Sequence, residues 1–237
     1  MLSWQFICRW RCQLGTTATV VTFILAALGS RSMAFVGDSM MYQTAVGFEC
    51  AALREAGGWA IEKHTEKRRE KKRWRYGIGN VEEWEFKRGD QARNISFYSI
   101  YRFNETLVDI DEALASSEVV VANFGIHWMD SMEYREAISS LLAHLLPHAS
   151  THTIVWKESY SQHHDNEGGE YKSAGNKVKT KNCVDVVYGD RFSHMWRDVI
   201  VRDVALGLGF DIVWLNETSN GAEKPERPLY WLPALEM

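Results

Sequence analysis

Polar side chains that could carry out acyl chemistry follow three apolar stretches of the chain. The first block, Gly37-Asp38-Ser39, comes directly after the apolar residues 33–36 and before a stretch with helical periodicity. At such a turn Ser39 would lie near the positive end of a helix dipole, which favours negative charge on an attacked acyl group. An ordinary helix N-cap is the alternative role for Ser39. The local pattern leaves both open.

The second block follows the most apolar strand pattern of the chain, residues 118–124. Asn123 stands at its end, and its side-chain amide could donate a hydrogen bond to an oxyanion. His127 comes shortly after and is either structural or part of a site. The third block follows residues 153–157 and runs from Lys157 to His163, ahead of a glycine pair. It is either a polar surface loop or a loop that faces a substrate.

An alternation of strand and helix patterns must position these blocks. Strands are predicted at residues 33–36, 59–64, 81–87, 95–103, 118–124, 153–157 and 211–215, and helices at 40–55, 109–116, 132–146 and 191–208. This order predicts an α/β protein with a doubly wound, mostly parallel sheet between two helix layers. Ligands bind at the carboxyl ends of the strands in such sheets, where all three blocks fall.

Taken together and in order, the blocks resemble the SGNH/GDSL hydrolase clan, and within it the PC-esterase and trichome-birefringence-like branch. The residues that carry the resemblance are Phe35 to Gln43, the later Phe48-Glu49-Cys50, Asn123 to Trp128, Trp156 to His163, Gly168-Gly169 and Cys183, with an upstream Arg9 to Leu14 element. The resemblance covers about residues 9–215. It implies a flavodoxin-like SGNH fold with three α/β/α layers.

The resemblance implies a serine-dependent O-acyl transferase or esterase, with acetyl as the expected acyl group, acting on a polysaccharide or another acylated small molecule. Ser39 would be the nucleophile and would form an acyl-enzyme, and Asn123 would help bind the oxyanion. The substrate site is expected to include Asp38, Gly125, Trp128, Lys157 and His163. No cofactor and no metal are expected. A glycan-binding pseudo-enzyme on the same fold is the alternative.

An activated serine needs a base and a group that orients it, and in this clan both come from a C-terminal Asp-x-x-His. This chain has no such motif there and no histidine after Leu215. Three explanations stay open: a sequence that has lost its end, a pseudo-enzyme, or a base from another loop. In the last case His127 or His163 would act as the base.

The chain is expected to divide into a lead-in segment at 1–32, an SGNH-like domain at 33–215 and an irregular tail at 216–237. The lead-in is either a core helix or a signal or anchor sequence, and the latter would be the chain's one contact with a membrane. Three N-x-S/T sequons, at Asn94, Asn104 and Asn216, favour the secretory pathway, either the Golgi lumen or the outside of the cell.

Charge and cysteine content exclude several other classes. The net charge is −4, so no overall field attracts nucleic acid or membrane. Residues 63–75 hold eight lysines and arginines, but no base-reading motif accompanies them, so a solvated surface segment is favoured over a polyanion site. The four cysteines match no zinc signature.

Overall fold

Eight strands in one sheet form the centre of the computed structural model. The structure describes residues 25–55, 58–68, 80–100, 107–125, 128, 130–158, 196–214 and 226–232. The strands are β1 Met33–Gly37, β2 Ala60–Arg68, β3 Asn80–Arg88, β4 Gln91–Ser99, β5 Val119–Asn123, β6 Thr153–Lys157, β7 Asp211–Trp214 and β8 Pro228–Leu232. The helices are α1 Ser39–Glu55, α2 Leu107–Ser116, α3 Ser131–Leu145 and α4 Trp196–Leu208, and a short 3₁₀ helix, Leu146–His148, follows α3.

The strands lie in the order β2-β3-β4-β1-β5-β6-β8-β7. The six from β4 to β7 in this order pair in parallel. β2 and β3 extend the sheet as an antiparallel hairpin that pairs with β4. β1 is central because its five residues, Met-Ala-Phe-Val-Gly, are apolar or small and are buried throughout. This pattern is typical of a strand covered on both faces. The expectation of an α/β protein with a mostly parallel sheet is confirmed.

Two hydrophobic cores lie on opposite faces of the sheet. On one face, Met33 and Phe35 of β1 belong to the core that holds Met41, Ala45 and Phe48 of α1. On the other face, Ala34 and Val36 belong to the core that holds residues of α2, α3 and α4, among them Ile110, Ile138 and Val201. Side chains alternate across a strand, so a single apolar strand supplies both cores. The sheet is therefore enclosed between helices on both sides.

In three segments the structure shows strands or buried side chains that the sequence did not clearly predict: the tail, the basic segment and the lead-in. Pro228–Leu232, inside the expected irregular tail, form β8 between β6 and β7. Part of the basic segment, Lys63 to Arg68, belongs to β2 and pairs with β3. At the end of the lead-in segment, Leu25 and Leu28 are buried in the core beside α1. None of the described helices has the length and apolar character that a membrane span requires.

Candidate functional site

The carboxyl ends of β1, β5 and β6 meet at one edge of the sheet. Gly37 is the register partner of Asn123, and Ala122 is the partner of Trp156 one position before Lys157. A Cβ atom on Gly37 would lie 2.1 Å from the Asn123 carbonyl oxygen and 2.7 Å from Met41 Cβ. Glycine is therefore required for β1 to approach β5 this closely and turn into α1. Tyr42 N–H donates to the Asp38 carbonyl in the first turn of that helix.

Asn123 and Lys157 lie side by side at this edge, and both are buried. Asn123 Nδ2 donates to the Lys157 carbonyl oxygen at 2.7 Å, so the amide ties the end of β5 to the end of β6. Lys157 Nζ donates to the Glu158 carbonyl oxygen at 3.1 Å. By strand alternation both side chains project to the face of α1, since Val121 and Val155 belong to the core beside that helix.

Burial changes the acid–base properties of this lysine. Desolvation lowers the pKa of Lys157 to about 8, against the attraction of the carboxylates of Asp198, Asp38 and Glu158, which acts to raise it. A lysine with such a pKa stays mainly protonated at neutral pH but exchanges its proton close to that range. Buried lysines with lowered pKa values are found at acid–base and ligand sites more often than elsewhere.

Asp38 joins the β1 turn to the segment after β5. Its side chain is 1% exposed, and its Oδ2 accepts a hydrogen bond from Gly125 N–H at 3.1 Å. Gly125 has a φ of +152°, and a Cβ there would lie 2.7 Å from Arg197 Cδ. Both the backbone conformation and the close side chain therefore require glycine at this position. Asp38 and Gly125 shape the edge of the site together.

Two helix residues that the sequence did not indicate hold the same segment from behind. Tyr134 of α3 is fully buried and its hydroxyl donates to the Phe124 carbonyl at 2.8 Å. Arg197 of α4 donates to the Trp128 carbonyl from Nε at 3.2 Å and from Nη2 at 2.5 Å. The sequence signal that could have identified Arg197 is its place on an otherwise apolar helix face, because arginine is buried only where its donors are satisfied.

The carboxylates near Lys157 are hydrogen bonded to tryptophans. Trp156 Nε1 donates to Asp198 Oδ1 at 3.3 Å, and Trp231 Nε1 donates to Glu158 Oε1 at 2.7 Å. Trp156 belongs to β6 and Trp231 to β8, so the last strand contributes directly to this edge. The acidic groups are thereby fixed to the protein framework, which orients them around the amine.

The structure brings together five of the eight residues predicted for the site. Asp38, Asn123, Gly125, Trp128 and Lys157 lie at or directly behind the β1–β5–β6 edge. Trp128 is 2% exposed and packs on Tyr134, with ring centroids 6.0 Å apart, so its ring is a core element. The backbone of Ser39 begins α1, but its side chain lies outside the described part of the structure. His127 and His163 lie outside the described residues as well.

Over the described ranges, no group of three or more histidine, cysteine, aspartate or glutamate side chains has an arrangement that could hold a metal ion. The groups at this edge that could bind a ligand or take part in a reaction are therefore the amine of Lys157, the amide of Asn123, the fixed carboxylates and the amino end of α1.

Comparison with known proteins does not support the resemblance to the hydrolase clan. No family model matches the chain. No curated protein matches it either. A solved structure to which it is similar is an ADP-ribosylation-factor-like GTP-binding protein, the small COPII coat GTPase SAR1 from Encephalitozoon cuniculi in complex with GDP. The identity is 9%, the TM-score is 0.43, and the alignment covers 91% of this chain and 75% of that one.

These findings correct the interpretation based on motifs. The predicted membership of the SGNH clan is wrong: no family model and no curated protein of that clan matches the chain, and the solved structure reported above is a GTP-binding protein. The predictions that depended on it are wrong with it: the O-acyltransferase or esterase function, the glycan-binding alternative, and the glycan or acylated partner. The sequence agrees with this correction, since it has no Asp-x-x-His after β7, where the clan places its acid–base pair.

The chain has no G-x-x-x-x-G-K-[ST] sequence, the loop that cradles phosphates in P-loop proteins. The turn after β1, where such a loop would stand, reads Gly37-Asp38-Ser39.

Proposed function

We propose that this chain is a small-molecule-binding α/β domain that holds an anionic group of its ligand at the carboxyl edge of β1, β5 and β6. The observation that carries the proposal is the buried amine of Lys157 beside Asn123 at this edge. The proposal includes a flavodoxin-like fold for this α/β domain. Along the parallel strands, β4-β1-β5-β6 follows the flavodoxin order, with β8 inserted before β7.

The topology supports this location. The chain passes from β1 to β4 on one side and returns to β5 on the other, so β1 and β5 flank the point where the strand order reverses. Ligands of open α/β sheets bind in the crevice at this point, beyond the carboxyl ends of the strands. Asp38 and Gly125 rigidify both sides of the crevice through their hydrogen bond.

The electrostatics support an anionic ligand group. Lys157 and Asn123 project to the α1 face, and α1 begins two residues after Gly37, so its amino end is directed to the same edge. A helix amino end carries a partial positive charge that favours anions. The carboxylates of Asp38, Asp198 and Glu158 accept hydrogen bonds from protein N–H groups. The amine and the helix end are then the groups suited to an incoming phosphate or carboxylate.

Calorimetric titration of the purified chain tests this proposal. Orthophosphate, acetate and GDP are titrated in turn into the wild type, Lys157→Met and Lys87→Met. Lys87 is the matched control because it is an exposed lysine paired with Glu62 and Glu85 on the distant hairpin. We expect at least one anion to bind the wild type and to bind Lys157→Met about tenfold or more weakly, a loss of about 1.4 kcal/mol.

Proton uptake gives a second readout of the same site. A bound anion favours the charged amine, so binding at about pH 8 takes up a proton, which calorimetry in two buffers of different ionisation enthalpy detects. Tighter binding of GDP than of orthophosphate would place a nucleoside subsite beside the anion site. Equal binding by the wild type and Lys157→Met, or no binding of any anion, would contradict the proposal.

A further inference from the structure

A second charged cluster lies between α1 and the β2–β3 hairpin, away from the Lys157 edge. His64 of β2 is placed between two glutamates: its Nδ1 is 3.9 Å from Glu49 Oε1 of α1, and its Nε2 is 3.4 Å from Glu82 Oε2 of β3. The imidazole stacks on the Trp84 ring, with centroids 5.3 Å apart and planes 14° apart. One histidine thus connects three elements of the fold.

Both glutamates are in an unusual environment for a carboxylate. Glu82 is 2% exposed and Glu49 is 8% exposed. Within the described structure, the Oε2 atoms of both are buried and have no hydrogen-bond partner. A buried carboxylate oxygen without a partner costs free energy that a nearby positive charge or a proton can offset. A positive charge placed between the two carboxylates therefore reduces this cost.

The groups that face His64 from each neighbouring element are mostly acidic. Tyr42 and Glu49 come from α1, Glu66 from β2 and Glu82 from β3, while β4 presents the apolar Phe97 against Tyr42. Burial raises the pKa of Glu82, an effect that Glu66 and Glu49 reinforce and His64 opposes. Burial also raises the pKa of Tyr42, and the carboxylates of Glu82, Glu49 and Glu66 add to this effect. Tyr42 therefore stays neutral throughout the physiological range of pH.

We propose that Glu49, His64 and Glu82 form a proton-operated clasp that fastens α1 to the β2–β3 hairpin when His64 is protonated and loosens when His64 is neutral. The reason is the charge of the ring. A protonated imidazole attracts both carboxylates, which lie 3.9 Å and 3.4 Å from its two nitrogens, whereas a neutral imidazole has no charge to offer either of them. Histidine is the side chain whose charge changes in the physiological range of pH.

The sign of the glutamate contribution agrees with this clasp. Because the pKa of Glu82 is raised in the folded chain, the folded state holds a proton that the unfolded state releases as pH rises. The stability associated with Glu82 is therefore present at low pH and is lost as pH rises through its folded pKa. Protonation of His64 and protonation of Glu82 both reduce the uncompensated negative charge of the cluster.

Two NMR measurements on the full chain test the clasp, at about pH 5.5 and about pH 8, on either side of the histidine range. The first follows the imidazole signals of His64, identified by their absence in His64→Gln. The second measures amide hydrogen exchange in β2 and β3, corrected for the intrinsic effect of pH. The matched control is His144→Gln, which removes a partly exposed histidine paired with Asp111 at 2.7 Å.

We expect the hairpin amides of the wild type and of His144→Gln to open several-fold more often at the higher pH. In His64→Gln this difference should be clearly smaller, because only the contribution of Glu82 remains. His64 signals that do not change in this range would overturn the proposal, since they are measured in the unmodified chain. The same pH dependence of hairpin opening in His64→Gln and the wild type would overturn it too.

Discussion

The two charged clusters of this fold differ in how their buried polar atoms are satisfied. At the β1–β5–β6 edge, the side chains of Asp38, Asn123 and Lys157 each make a hydrogen bond to the backbone. In the cluster between α1 and the hairpin, one carboxylate oxygen of Glu49 and one of Glu82 have no hydrogen-bond partner in the described structure, and each carboxylate has an ion pair with His64. A satisfied cluster fixes geometry, whereas an unsatisfied one responds to protons. The first is suited to positioning a ligand, and the second to a change of state.

The largest expected effect concerns the rigidity of the first cluster. Gly37→Ala should lower the free energy of unfolding by about 3 kcal/mol or more, because its Cβ would overlap the Asn123 carbonyl. Gly47→Ala is the matched control in α1, where an added Cβ meets nothing within 4 Å. It should stabilise the chain by about 0.5–1 kcal/mol through helix propensity. Urea denaturation measures both, and a Gly37→Ala variant as stable as the wild type would show that the strand ends are not closely packed.

A second prediction separates burial from pairing at Lys157. Lys157→Met should raise the free energy of unfolding at pH 7 by about 2 kcal/mol. Lowering the pKa from 10.5 to about 8 corresponds to about 3 kcal/mol, less about 1 kcal/mol for the lost hydrogen bond. Between these two pKa values the unfolded chain holds a proton that the folded chain has released, so the wild type gains stability as pH rises. The advantage of the variant should therefore disappear by about pH 10.5.

Denaturation of the wild type and of Lys157→Met at a series of pH values measures the difference between their free energies of unfolding. The titration of other groups affects both proteins equally and cancels in this difference. Lys87→Met should show no such trend. A Lys157→Met variant that is less stable than the wild type at pH 7 would mean that ion pairing at this lysine outweighs its desolvation.

The hydrogen bond behind the site gives a smaller effect. Tyr134→Phe leaves the Phe124 carbonyl without its donor in a fully buried position and should cost about 1–2 kcal/mol. In Tyr98→Phe the lost contact is to Ser116 Oγ, which also donates to the Ala113 carbonyl, so a smaller cost is expected. Equal costs in thermal denaturation would argue against a special role of Tyr134 in holding the segment after β5.

The smallest expected effect belongs to the unsatisfied cluster. Glu82→Gln should stabilise the chain at neutral pH, because burial raises the pKa of Glu82 and the neutral amide avoids a buried charge. The gain should shrink as pH falls, since Glu82 then becomes neutral in the wild type. Glu62→Gln, at an exposed glutamate paired with Lys87, should lack this pH dependence. A gain that grows toward low pH would reverse the assigned sign.

The sequence predicted the sheet strands and helices well where they are continuous and apolar, as in β1, β5 and α3. It did not predict β8, because prolines stand around it and its partners β6 and β7 are set by tertiary pairing. Pro228 is tolerated because it is the first residue of its strand. Asn123 and Lys157 could be predicted from the sequence because they stand at the ends of predicted strands. Tyr134 and Arg197 could not, because helical spacing does not reveal which backbone carbonyl a side chain will reach.

The motif resemblance failed for a related physical reason. A glycine, an aspartate and a serine after a buried strand satisfy the general needs of a strand-to-helix turn. Gly37 is explained by a close approach to Asn123, and Asp38 by the hydrogen bond from Gly125. Residues selected for packing and turn geometry can therefore match a catalytic pattern without its chemistry.

Direct titration of the Lys157 amine tests the central claim, that this lysine is a desolvated, ligand-facing cation. The amine and its adjacent methylene are followed by NMR as pH rises, with the Lys157 signal assigned through Lys157→Met, first without and then with the anion that binds best. The account predicts a pKa of about 8 without ligand and a higher pKa with the anion bound. A pKa near the ordinary 10.5 that does not respond to any anion would contradict the account.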